Sequence, residues 1–151
     1  MKLIGKNGLS RFIEIAIAVL MVVVLVLLAT LPWSITWITE RSAGDPYYAR
    51  YLVILAYSGI MAELIFWQAH GIMGNVNRGC VFSANTVRRM RVMAVETLVL
   101  AVFYLATMFW MSKFFMAALF VVFVLAGSTF LVFAELFRQA NQYKEENDMT
   151  I

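Results

Sequence analysis

The sequence predicts an all-α integral membrane protein, a four-helix bundle with both its N and C termini in the cytoplasm. Three observations carry that expectation. Four stretches, residues 12–33, 51–73, 92–110 and 114–137, are apolar for long enough to cross a bilayer, where about 20 residues suffice for the hydrocarbon core. The 151 residues are 63% hydrophobic with a mean hydropathy of +0.82, well above the apolar content of soluble domains, so lipid must solvate much of the surface. Basic residues gather in the middle gap, where Arg88, Arg89 and Arg91 stand together. The apolar runs are too long and too unalternating for barrel strands, and helices are the other way to cross lipid with every backbone group paired.

The first segment follows Lys2, Lys6 and Arg11, a charged start like that of a secretory signal. It is long enough to span, and no small-residue processing site follows it, so it is expected to remain as an uncleaved first helix. The loop after it carries a turn signal at Ser42, Ala43, Gly44, Asp45 and Pro46. Before the third span, Ser83 is placed to cap a helix that runs through Val87, Met90 and Ala94 directly into the membrane. That start would project the helix by about 10 Å beyond the bilayer at 1.5 Å per residue. The turn at Met111, Ser112 and Lys113 is short, so the last two helices are expected to form an antiparallel hairpin. The fourth span continues through Leu136, Ala140 and Tyr143 towards a frayed end at Asn147, Asp148, Met149, Thr150 and Ile151. The chain reads as a single transmembrane domain over 1–151, with a cytoplasmic loop at 74–91, a cytoplasmic tail at 138–151, and no internal repeat.

Charge sets the expected orientation. One side collects Lys2, Lys6, Arg11, Arg78, Arg88, Arg89, Arg91, Arg138 and Lys144, and the other only Arg41, Arg50 and Lys113. The positive-inside rule assigns the first group to the cytoplasm. Trp33, Trp37, Tyr47, Tyr48, Tyr51, Trp110 and Phe114 fall at the opposite interface, where amphipathic rings settle.

The composition leaves little room for metal or redox chemistry. Cys80 is the sole cysteine and His70 the sole histidine, so no Cys/His zinc cluster and no intrachain disulfide can form. No spacing unites a nucleophile with a base; no enzymatic activity and no cofactor are assigned. Charged groups inside a membrane are costly, which singles out Glu63 in the second span as a site for proton coupling, cation binding or helix packing. Glu96 and Glu135 lie nearer the inner boundary, where an arginine partner or snorkelling is easy. His70 follows Glu63 by seven residues, two turns along one helix face. Arg88, Arg89 and Arg91 could grip lipid headgroups, phosphate or an acidic protein surface. With a net charge of +3 and no reading helix or aromatic platform, direct nucleic-acid binding is not expected.

The loop reading Asn77, Arg78, Gly79, Cys80, Val81, Phe82, Ser83, Ala84, Asn85, Thr86, Val87, Arg88, Arg89, Met90, Arg91 resembles the bacterial domain-of-unknown-function family 2975. The ending Tyr143, Lys144, Glu145, Glu146, Asn147, Asp148, Met149, Thr150, Ile151 is similar to that family's closing lysine, acidic pair, Asn-Asp and hydrophobic-Thr-aliphatic tail. The first two spans match in hydropathy alone. Members are small bacterial membrane proteins commonly encoded beside a very small Cro-type helix-turn-helix regulator, so the resemblance implies a partner more than a reaction. It implies a membrane-bound protein that binds or sequesters such a regulator. The expected contact residues are Phe82, Ser83, Asn85, Arg88, Arg89 and Arg91 of the loop, and Tyr143, Glu145, Glu146, Asp148 and Ile151 of the tail. The tail would dock into a groove or add a strand to the partner. The alternatives are a small proton-coupled transporter, with Glu63 as coupling site in a homo-oligomer, and a structural subunit of a membrane complex. Membrane lipid is a partner under every reading.

Overall fold

A computed structural model describes residues 8–40 and 43–149, except for the side chain of Asp148. Lys2, Lys6, Arg41, Ser42, Thr150 and Ile151 lie outside the described residues, as do the parts that Asp148 and Ile151 were expected to play. The described residues form helices and no strand: α1 (Leu9–Ala29), α2 (Leu31–Thr39), α3 (Pro46–Asn77), α4 (Ala84–Thr107) and α5 (Lys113–Met149). All but α2 are long and apolar enough to cross a membrane, and the protein is a membrane protein of four spanning helices.

The first span differs from its expected outline. It was to run unbroken to Trp33 and be followed by a loop, but the helix breaks at Thr30 and resumes as α2 to Thr39. Pro32 is the cause, because its ring lacks an N–H and collides with the carbonyl four residues before it. Thr30 closes the turn by donating from its backbone N–H and its Oγ1 to the Val26 carbonyl, at 3.0 and 2.9 Å. Beyond the break, α2 buries Ile35 while Trp33 and Trp37 stay 78% and 85% exposed, as indoles at a membrane interface do.

Both ends of α3 are sealed by local chemistry. Asp45 caps its start, Oδ1 accepting from the Tyr47 N–H at 2.8 Å with Pro46 at the first helical position. At its end Gly79 takes a φ of 77°. Cys80 N–H then donates to the Asn75 carbonyl and Gly79 N–H to that of Val76, at 2.9 and 3.0 Å, the paired bonds of a Schellman stop. Ser83 caps α4 as the sequence predicts, its Oγ accepting from the Thr86 N–H at 3.2 Å. The 32 residues of α3 and 37 of α5 reach about 48 and 55 Å at 1.5 Å per residue, well beyond a hydrocarbon core of about 30 Å.

The helices pack in chain order, α1 on α3, α3 on α4 and α4 on α5, with the closest and longest contact in the α4–α5 hairpin. The hairpin expected from the short turn is therefore present. Ile54 and Met61 of α3, Leu100 and Tyr104 of α4, and Met116 of α5 form the buried centre. Within it the Tyr104 hydroxyl meets Ser58 Oγ at 2.7 Å. The bundle does not close around this centre. No Cα of α1 comes within 8 Å of one in α4 or α5, and an apolar cavity of about 560 Å³, lined by Val24, Leu28, Gly59, Ala62, Leu100 and Phe123, separates them.

Small residues set the spacing. A Cβ built on Gly127 of α5 would stand 2.7 Å from Leu98 Cγ and 3.3 Å from the Ala94 carbonyl oxygen of α4. Gly127→Leu should therefore wedge the hairpin apart at a cost of about 1–3 kcal/mol, the usual range for an overpacked contact. The check is thermal unfolding of purified protein in mild detergent; an unaltered melting temperature would show that the contact tolerates side-chain bulk.

Candidate functional site

The α3–α4 connection, the start of α1 and the last turns of α5 share one end of the bundle, where Arg11, Arg78, Arg88, Arg89, Arg91, Arg138 and Lys144 also fall. The sequence groups Arg88, Arg89 and Arg91 as one surface. Helix geometry divides them, since successive residues turn by about 100°. Arg88 and Arg91 line a groove of about 460 Å³ between α4 and α5, facing Arg138, Asn141, Gln142 and Glu145. Arg89 turns towards α3. Its Nη1 donates to Gln68 Oε1 at 3.3 Å, and its guanidinium occupies the space where a side chain on Gly71 would be.

Of the two settings the sequence allows Glu135, snorkelling or an arginine partner, the structure shows the second. Arg138 donates to it from Nε at 2.9 Å and Nη2 at 2.5 Å, Gln139 Nε2 approaches at 3.3 Å, and Arg91 Nη2 lies 3.7 Å away. Arg91 and Arg138 are thus partly neutralised, whereas Arg88 is exposed with no carboxylate in ion-pair range among the described residues. Because these side chains are 44–53% exposed, the pairs orient the groove wall more than they stabilise the fold.

Several expected contact residues have structural duties as well. Phe82 stacks on Phe137 of α5 at 5.3 Å between ring centroids, which pins the loop to the hairpin. Ser83 Oγ is engaged as the α4 cap and also meets Thr86 Oγ1 at 3.0 Å. Asn85 is exposed at the α3–α4 seam beside Gln68. In the tail, Tyr143, Glu145 and Glu146 are exposed on α5, and Asn141 Nδ2 donates to Glu145 Oε1 at 2.9 Å. The helix continues to Met149, so Tyr143, Glu145 and Glu146 present a helical face, and the helix takes in Asn147 and Met149, where the sequence predicts a frayed end.

The intramembrane polar groups fall on two seams. Asn77 joins α3 to α1, donating from Nδ2 to Glu14 Oε2 at 2.5 Å and accepting from Ser10 Oγ at 2.6 Å. Gly59 packs against Leu28 and Gly74 against Glu14, and the helical spacing of 59, 63, 70, 74 and 77 puts Glu63 and His70 on the same α1-facing stripe. Glu63 Oε2 and His70 Nδ1 are buried there with no hydrogen-bond partner among the described residues. Glu96 lies on the other seam, beside Gln68, its Oε2 likewise buried without a partner. On that seam too, Asn75 Nδ2 donates to Thr86 Oγ1 at 3.1 Å.

Sequence reasoning missed Glu14, Gln68 and Gly71. Glu14 is the sole charged residue inside the first apolar run, so the rule that singled out Glu63 would have found it. Gln68 and Gly71 carry no charge and acquire meaning through Arg89, a neighbour known only once α3 and α4 are paired.

A family model described as a protein of unknown function (DUF2975) matches residues 29–151. The chain belongs to this family. The match takes in α2 to α5, and with them both walls of the basic groove, while α1 lies almost wholly before it. No curated protein and no solved structure matches this DUF2975 chain.

In the DUF2975 chain the Asn77 clasp ties α1 to the rest of the bundle. Asn77→Ala should leave Glu14 and Ser10 without their bonds and destabilise the protein by about 1–2 kcal/mol. Thermal melts in detergent test this, and a variant as stable as the parent would show that the clasp contributes nothing.

Proposed function

We propose that this DUF2975 protein is a membrane-bound regulator that holds a small helix-turn-helix protein against the groove between α4 and α5. The observation that carries the reading is the groove itself, with Arg88, Arg91 and Arg138 along it and Asn141, Gln142 and Glu145 completing its α5 side. Two long helices with a furrow between them offer a seat for a partner helix. Mixed charge along the rim suits recognition, since complementary charges steer encounter and fix register. Phe82 and Tyr143, 46% and 67% exposed, add aromatic area of the kind that anchors interfaces.

The reading needs this end of the bundle in the cytoplasm, which the arginine distribution supports through the positive-inside rule. Control would then be a population shift. A signal reaching the bundle changes the fraction of bound regulator to the extent that it binds the two states with different affinity.

Orientation is testable through Cys80, the sole cysteine, which is exposed in the α3–α4 connection. A membrane-impermeant maleimide should label it in inverted vesicles and spare it in intact cells; the opposite pattern would place the groove outside and end the proposal. Partner capture tests the surface. Co-purification of a helix-turn-helix protein with the tagged full chain should fall at least tenfold, about 1.4 kcal/mol or more of binding free energy, when Arg91 and Arg138 are both replaced by Gln. Undiminished capture by a folded variant would remove the groove from the mechanism.

A further inference from the structure

The second cavity at the basic end lies on the other side of α4. It measures about 350 Å³ and is lined by Gln68 of α3 and by Asn85, Arg88, Arg89 and Val92 of α4. Two guanidinium groups and two side-chain amides converge there, and no carboxylate lines the wall. Arg89 is built into the seam. Gly71 leaves room for its guanidinium, Gln68 accepts from Nη1, and Nε is buried without a hydrogen-bond partner among the described residues. Neither Arg88 nor Arg89 has a carboxylate in ion-pair range among the described residues. A partly buried cation held by a neutral amide alone is costly unless an anion completes it.

The position along the helix says which anion. Arg88, Arg89 and Arg91 close the basic stretch of α4, and from Val92 to the end of the helix Glu96 is the sole charged residue. The cavity therefore sits where polar surface gives way to apolar surface, the level of a phospholipid headgroup. The same face continues beyond it. Arg88, Val92, Val95, Val99 and Val102 recur at spacings of four and three, which keeps them on one stripe. Those valines are 36–62% exposed, and Val95, Val99 and Val102 share an apolar furrow of about 460 Å³ with Tyr57 and Phe103. β-Branched side chains make its floor stiff and even.

We propose that the α3–α4 seam binds one anionic phospholipid, its phosphate held by Arg88 and Arg89 with the Asn85 and Gln68 amides alongside, and an acyl chain laid along the valine stripe. Charge selects the class. Two unpaired cations favour a lipid with net negative charge over a zwitterion, and guanidinium groups suit phosphate through paired N–H donors. The site is separate from the α4–α5 groove except for Arg88, which borders both.

The test uses the full chain in mild detergent, with thermal stabilisation measured during titration with dioleoyl phosphatidylglycerol, dioleoyl phosphatidylcholine or inorganic phosphate. The parent protein should be stabilised by phosphatidylglycerol at concentrations at least tenfold below those needed for phosphatidylcholine. Arg89→Gln should abolish that preference, and Arg138→Gln, which changes the other groove, should keep it. If Arg89→Gln does not fold, Arg88→Gln provides the same reading from an exposed side chain. Equal response to the two lipids, or a preference that survives in folded Arg89→Gln and Arg88→Gln, overturns the site. Stabilisation by inorganic phosphate that matches phosphatidylglycerol and vanishes with Arg89 overturns the lipid assignment.

Discussion

Lipid solvates an apolar helix as well as another helix does, so the hydrophobic effect that assembles soluble domains gives spanning helices little reason to pair. Association falls to close packing and to polar side chains that cross between helices. Each seam here has both. Gly59 admits Leu28 where α1 meets α3, Gly71 admits Arg89 where α3 meets α4, and Gly127 admits Leu98 where α4 meets α5. Beside these approaches stand Asn77 on Glu14 at the first seam, Asn75 on Thr86 and Ser58 on Tyr104 at the second, and Arg91 near Glu135 at the third. The contiguous buried apolar centre is confined to a few side chains of α3, α4 and α5, which is enough when these local devices set the register.

The basic end follows from the same geometry. Arginines at adjacent positions within one helical turn point about 100° apart and cannot all face one neighbour, so α4 directs Arg91 to α5 and Arg89 to α3, with Arg88 between. One short sequence thereby furnishes two surfaces of different character. The side towards α5 is tempered by Glu135 and Glu145 and suits a protein of mixed charge. The side towards α3 is lined by two arginines and two amides and continues into an apolar furrow, which suits an amphiphile. Since α4 forms a wall of both, it is the element through which occupancy of one could bias the other, provided that it has two positions to move between.

What the sequence makes legible is what depends on neighbours along the chain. The spans, the Ser83 cap and the α4–α5 hairpin rest on hydropathy or turn chemistry, and each appears in the structure. The break at Thr30 was equally local, because Pro32 stands in the sequence, but the expected span was bounded by length and hydropathy and carried past it to Trp33. The partner of Arg89 was of another kind. A hydrogen bond to Gln68, 21 residues away, depends on the register of two antiparallel helices, and no local pattern encodes that register. Asn77 and Glu14, 63 residues apart, pose the same difficulty more severely.

Unequal seams also decide where the bundle is easiest to rearrange. α4 and α5 share the closest interface, and α3 joins them through buried Ile54 and Met61. Among the described residues α1 packs its backbone closely against α3 and α2 and no other helix, held by the Asn77 clasp and Gly74 at one end and the Leu28 contact with Gly59 towards the other. Between these points its stripe faces Glu63 and His70, whose buried unpartnered atoms add little to the hold, and an open apolar cavity separates it from α5. Local opening is drawn from the regions with the fewest buried contacts. Displacing α1 breaks the Asn77 clasp and the contacts at Gly59 and Gly74, whereas displacing α5 breaks the hairpin and the buried centre together. A second state of this bundle is therefore reached at least cost through α1, and the matched family region, which begins at residue 29, contains the helices that such a movement leaves in place.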